Sequence, residues 1–379
     1  MLIHVHGGKL SMENRTIDHL PMIRRMGRTT IQNGKLYLFW TASGIDFCFR
    51  GERISVVFTA GFTSMEQWIS MELDGFFLLR MPLHRGENRI DLLQGLDAGV
   101  LHRIRLFREV QMIPDDNASF LTLDCLQYEG EIIAPPEVSL TIEFVGDSIT
   151  SGEGSCGAQM EEDWISPYFG VENNYARMTA DILNARFSCI SQSGWGVVSD
   201  YQNNPHRVLP RFYEQICGVT CCRENILAHA HDPFDFSADP SDIVVVNLGT
   251  NDDGAFHADP YFDPETKSVF CQRLDEFGRP QMRDAERLQG AVVAFLQKIR
   301  RCNPHAQIIW CYGMLGDFLS HEIAGAVRTY RTESGDTDAH FLLLPPTKPG
   351  MFGARQHPGR AAHQAAAQIL SSYIRQLRG

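Results

Sequence analysis

Between about residues 26 and 130 the apolar positions fall in short runs separated by turn-forming pairs. Thr29–Gln32 and Lys35–Trp40 flank Asn33-Gly34, while Trp68–Leu73 and Phe76–Met81 flank Asp74-Gly75. Asn-Gly and Asp-Gly readily take the positive φ angles of a tight turn, so both stretches predict hairpins. Asp46–Arg50, Ile54–Thr59, Leu101–Arg108 and Phe120–Leu126 add further strands. About eight or nine strands without a convincing helix predict a β-sandwich of jelly-roll type.

The rhythm changes after Ala134-Pro135-Pro136, a stiff pair that cannot donate backbone hydrogen bonds and reads as a linker. Two domains are expected, residues 1–134 and 135–379. In the second, strands at Leu140–Val145, Phe187–Ile190, Asp242–Asn247, Gln307–Tyr312 and His340–Leu344 alternate with helical patterns. Leu288, Val292, Phe295 and Ile299 share one helix face, as do Ala366, Leu370, Tyr373 and Leu377. That alternation predicts an α/β domain with a parallel five-stranded sheet covered on both sides. In such sheets ligands bind beyond the carboxyl ends of the strands.

Composition narrows the partners rather than the fold. The net charge of −12 argues against nucleic acid or an anionic membrane surface, which need clustered Lys and Arg. No apolar run approaches the roughly 20 residues of a membrane helix. Ten cysteines are present without metal-ligand spacing, Cys217, Cys221 and Cys222 being the nearest cluster, so buried free thiols and no metal site are expected. The opening MLIHVHGGKL has no signal-peptide pattern, and with so many thiols it points to a reducing cytoplasm.

Four motifs fall at or just past strand ends. Gly146-Asp147-Ser148 closes the first strand of the second half, so Ser148 projects from the sheet's carboxyl edge. Taken alone, an Asp-Ser pair more often caps a helix. Ser193-Gly194-Trp195-Gly196 is a turn in which the Gly194 N–H can approach a ligand closely, although a plain tight turn is the commoner explanation. Gly249-Thr250-Asn251-Asp252 offers an amide donor for an oxyanion, or simply an Asx-turn. His357-Pro358 supplies a general base, or an incidental loop histidine. Jointly the four supply nucleophile, oxyanion donors and base, the parts of an acyl-transfer site.

Ser148, Gly194, Asn251 and His357 resemble the four marker residues of the SGNH hydrolases, the GDSL-type esterases, with Gly-Asp-Ser-Ile-Thr in the serine block. The resemblance implies a flavodoxin-like α/β/α catalytic domain. A β-sandwich leading into E-F-V-G-D-S-I-T-S-G-E-G further resembles carbohydrate esterase family 2. Phe39-Trp40 before Ser43-Gly44-Ile45, Glu72-Leu73-Asp74-Gly75 and His102-Arg103-Ile104-Arg105-Leu106 add to it. That family implies removal of acetyl groups from xylan, glucomannan or their oligosaccharides. Ser148 would be the nucleophile and His357 the base, with Ser148, Gly194 and Asn251 forming the oxyanion hole and no cofactor required.

One departure stands out. Many SGNH enzymes carry an aspartate three residues before the histidine, where this chain has Ala354. A Ser–His dyad is expected, with the imidazole held by a backbone carbonyl or by an acid from elsewhere. Trp195 is either a platform for a sugar ring or a core aromatic. Ala255–Pro280 either overhangs the pocket or is a surface excursion, and the loop carrying Glu153, Cys156 and Trp164 is a candidate wall. A lipase or thioesterase, or a mainly glycan-binding protein, are the alternatives. Size and class suggest a homo-oligomer.

Overall fold

The computed structural model describes residues 12–378, so the N-terminal stretch read above for export lies outside the described residues. Ten antiparallel strands form the first half. Two long ones, Gly44–Gly61 and Phe120–Ile133, pair along most of their length and join both layers. Residues 44–49 of the first pair with His102–Arg108, and residues 53–60 pair with Gly86–Gln94.

The bend between the layers is written in the side chains. Ile45, Phe47 and Phe49 face the core, then Ile54, Val56, Phe58 and Ala60, a slip of one position. The register shifts on both neighbouring strands here, at Ile54/Ser55 and Glu129/Gly130. A β-bulge absorbs the extra residue and bends the strand while keeping its apolar side inward. Gly51-Glu52-Arg53 therefore interrupts no strand: the sequence predicts two segments, at 46–50 and 54–59, where the chain runs as one. Glu13–Arg15, Arg24–Met26 and Gly86–Gln94 escape the pattern because they are short or carry few inward apolar residues.

The last sandwich strand ends at Ile133, and the parallel sheet begins with β1 (Thr141–Gly146). It continues with β2 (Arg186–Ser191), β3 (Ile243–Asn247), β4 (Gln307–Tyr312) and β5 (Ala339–Leu343), in the order β2-β1-β3-β4-β5. This is the doubly wound flavodoxin-like order, whose switch point lies between β1 and β3. Val244 and Val246 pack toward helices Met282–Cys302 and Ser320–Ser334. Ile243 and Val245 pack toward Tyr175–Leu183 and Arg360–Arg378. On the last helix the buried stripe runs through Ala362, Ala366, Leu370 and Ile374, with Tyr373 and Leu377 flanking it half-buried. All ten cysteines are free thiols and five of them are buried.

Glu143 places a charge inside β1, where both faces should be apolar. Arg28 accounts for it: its guanidinium lies 2.9 Å from the Glu143 carboxylate, and Tyr213 Oη donates to the other oxygen at 2.6 Å. Arg28 also donates to the Tyr213 and Gln215 carbonyls and stacks on the Phe234 ring. This buried pair joins the segment before the first hairpin to the centre of the parallel sheet. Removing one partner of such a pair leaves the other uncompensated, at a cost of about 3–5 kcal/mol. Arg28→Met is therefore expected to lower the urea midpoint by that much stability. A loss below about 1 kcal/mol would show the pair to be replaceable packing.

Candidate active site

The β1/β3 switch point delivers Ser148. β1 ends at Gly146, Asp147 caps the one-turn helix Ser148–Ser151 by accepting from the Ile149 N–H, and Ser148 is that helix's first residue. The helix cap is thus Asp147, and Ser148 is left free of that job. Ser148 Oγ lies 2.9 Å from His357 Nε2. His357 Nδ1 donates to the Arg355 carbonyl at 2.9 Å, which orients the ring without a carboxylate.

A carbonyl two residues upstream reaches its own imidazole only through an unusual turn. Arg355 and Gln356 both have φ of +56°, left-handed conformations that cost non-glycine residues about 1–3 kcal/mol each. Bonds on all sides hold Arg355 in place. Its N–H donates to the Glu161 carbonyl at 2.7 Å, its Nε to Glu153 at 2.9 Å, and its Nη1 to the Glu162 carbonyl at 2.8 Å. The two loops close on one another at Gly154, whose carbonyl accepts from Ala354 N–H at 3.0 Å. A Cβ on Gly154 would stand 2.3 Å from the Ala354 carbonyl and 2.5 Å from His357 Cβ, so only glycine fits. The Glu153 carboxylate also lies 3.9 Å from His357 Nε2.

Gly194 and Asn251 share the cleft with Ser148 and His357. Gly194 takes φ +80°, and the Tyr201 ring covers it so closely that an added Cβ would approach within 3.3 Å. Asn251 Nδ2 donates one hydrogen to the Trp195 carbonyl at 2.9 Å, leaving the second for a ligand. Asp252 organises the loop between them, accepting from Val197 N–H and Val198 N–H at 2.8 Å each. Ser148, Gly194, Asn251 and His357 all line one open cleft of about 550 Å³.

The structure corrects one site residue. Trp195 is 6% exposed and its ring packs in the core against Phe212, with centroids 5.5 Å apart, so it offers no platform to a ligand. Its carbonyl serves the site, by aiming Asn251. The aromatic rings that do face the cleft are Trp164, 40% exposed, and Tyr201, 50% exposed. Glu153 and Trp164 line the cleft as the loop reading expected, but Cys156 does not. Nor does Ala255–Pro280: it braces the Tyr201 loop from behind, through Asn203 Nδ2 to the Ala255 carbonyl at 2.9 Å and Gln272 Nε2 to Ser199 Oγ at 3.1 Å. Sequence reasoning missed Tyr201, Leu315, Arg355 and the rim pair Asp115–Arg207, none of which has a local signature.

A family model described as GDSL-like Lipase/Acylhydrolase matches residues 144–378, more than half of the chain. The chain belongs to that family. Ester hydrolysis is thus the chemistry of its relatives. A solved acetyl xylan esterase from the rumen bacterium Butyrivibrio proteoclasticus is 34% identical, with a TM-score of 0.94 over 98% of this chain and 100% of that one. A family two carbohydrate esterase from Clostridium thermocellum shares the fold, with a TM-score of 0.77 at 24% identity over 94% of this chain and 99% of that one. Among curated proteins, cellulase/esterase CelE of Acetivibrio thermocellus is 27% identical over 351 residues. That match takes in 89% of this chain and 37% of the relative's length.

This chain's orienting carbonyl and its buried acid Asp147 each generate a prediction. Ala354 is fully buried and His357 Nδ1 is already occupied, so Ala354→Asp is expected not to raise kcat. A gain of orders of magnitude would mean that the imidazole lacks its orienter. Burial, with Asp252 and Glu153 nearby, pushes the Asp147 carboxyl up to about 7. In the unfolded chain it titrates near about 3.9, so between these values the folded protein holds the extra proton. Stability from this group is full at low pH and falls as pH rises toward 7. Asp147→Asn, which stays neutral, should match wild type in thermal midpoint near pH 4 and outlast it increasingly up to pH 7. A difference independent of pH would contradict the assignment.

Proposed function

We propose that the protein is a serine esterase removing O-acetyl groups from saccharides derived from plant polysaccharides, such as acetylated xylan or glucomannan oligosaccharides. The observation that carries this is the 2.9 Å contact between Ser148 Oγ and His357 Nε2, in a cleft that also holds Gly194 and Asn251. The acetyl xylan esterase at 34% identity supports the substrate class.

In this reading Ser148 attacks the acetyl carbonyl while His357 takes its proton, and the Arg355 carbonyl holds the imidazolium by its Nδ1–H. The Ser148 and Gly194 N–H groups and the free Asn251 hydrogen receive the oxyanion. His357 then protonates the departing sugar hydroxyl, and water activated by the same imidazole releases acetate from the acetyl-enzyme. Trp164 and Tyr201 offer exposed ring faces on which pyranose rings stack. Leu315 is the one aliphatic side chain lining the cleft among the described residues, which suits an acetyl group better than a long acyl chain.

The test is acetate release from acetylated xylo- and manno-oligosaccharides, with 4-nitrophenyl acetate and butyrate, for wild type and Ser148→Ala. Activity on acetyl substrates that vanishes in the variant, with acetyl preferred over butyryl, is the expected result. Better turnover of butyrate would transfer the protein to the lipase reading. Wild type as inert as the variant on every ester would leave glycan binding in its place.

A further inference from the structure

The oxyanion turn is held from outside its own domain. Ser193, immediately before Gly194, donates both its N–H, at 2.8 Å, and its Oγ, at 3.0 Å, to Gln111 Oε1. The same oxygen accepts from Ser151 Oγ at 2.7 Å, on the last residue of the helix that Ser148 begins. A single carboxamide oxygen on the sandwich thus ties together the two backbone segments that supply oxyanion N–H groups. Its orientation is unambiguous, since a backbone N–H can only donate and the atom facing Ser193 must therefore be oxygen. Gln111 is wholly buried and lies beyond the last residue of the sandwich strand His102–Arg108.

Gln111 is itself immobilised. The Arg108 side chain, also fully buried, donates to the Val110 carbonyl at 2.6 Å, the Leu38 carbonyl at 2.6 Å and the Gln111 carbonyl at 3.1 Å. Neighbouring Glu109 accepts from Arg80 Nε and from the Val171 N–H, each at 3.1 Å. Val110 and Met112 fill apolar contacts to either side. The stretch 108–112 is thereby wedged between the halves, with one polar group aimed at the oxyanion turn.

We propose that Gln111 is a positioning residue for the esterase reaction, setting the Gly194 N–H against the Ser148 N–H, so that the sandwich is a structural part of the oxyanion hole. This rests on the esterase reading for its kinetic consequence but not for its structural one. Displacing an oxyanion donor by about an ångström costs on the order of 10²-fold in rate, whereas substrate binding elsewhere in the cleft is untouched.

The experiment compares Gln111→Leu, which has no acceptor, Gln111→Asn, one methylene shorter, and Gln111→Glu, which keeps an oxygen in place. With 4-nitrophenyl acetate, Leu and Asn should lower kcat on the order of 10- to 100-fold with KM within about twofold, and Glu should recover most of the loss. Affinity for a phenylboronic acid, which forms a tetrahedral adduct on serine, should fall in step with kcat/KM. Amide hydrogen exchange at residues 192–196 should accelerate in Leu and Asn and return toward wild type in Glu. Wild-type kcat in the Leu or Asn variant, or loss in all three with unchanged exchange at 192–196, would overturn the proposal. If wild type itself hydrolyses no ester, the functional reading fails, while the exchange measurement still decides whether Gln111 holds the turn.

Discussion

The bond from His357 Nδ1 to the Arg355 carbonyl sets the terms for everything around it. A carboxylate orienter can stand at some distance and reach in through its own side chain. A carbonyl has no such reach, so the main chain must be folded back on itself and kept there. That requirement explains the paired left-handed residues 355 and 356, the three bonds that anchor Arg355, and the absence of a side chain at residue 154. Strain in the turn is held by the ion pair to Glu153, which belongs to the loop that follows Ser148. The loops that carry His357 and Ser148 are consequently fixed to each other directly, as well as through the sheet.

Beside the Glu153–Arg355 pair, three ionisable side chains around the site are buried and held mainly by backbone groups. Asp147 and Asp252 are both fully buried, and burial raises them to about 7 and about 6 respectively. Backbone N–H groups are their main partners, so both act as rigid acceptors that shape loops. Arg108 is the mirror case: fully buried and lowered by that burial to about 10, it remains a cation whose hydrogen-bond partners are carbonyl oxygens. In each instance an ionisable side chain organises backbone that no helix or strand would satisfy.

The parallel sheet was legible because its strands carry buried β-branched runs, Val244-Val245-Val246 most plainly, and because helix faces repeat at fixed spacing. Ser148, Gly194 and Asn251 were legible as neighbours because each follows closely on a strand end, where topology alone brings loops together, and His357 joins them from the loop ahead of the last helix. Trp195 misled because its neighbours in sequence are at the site while its ring turns the other way; a turn's side chains alternate in direction, and only packing decides which one enters the core. The bulged strand Gly44–Gly61 misled for a related reason, since a polar break reads as a turn unless the phase slip of the flanking apolar residues is counted. Arg355 and Gln111 left no trace, because Gln111 acts across 40 and 82 residues of chain and Arg355 orients the imidazole through a backbone atom that every residue possesses.

Seen from the wedge at residues 108–112, the proline-rich junction at 134–136 is a hinge in sequence only. A recombination event there would hand the catalytic half to a new neighbour and leave Ser193 and Ser151 without their shared acceptor. Asp115 and its partner Arg207 at the rim would be parted as well. The two halves are therefore one mechanical unit, in which a new sandwich would have to offer the turn before Gly194 a replacement acceptor.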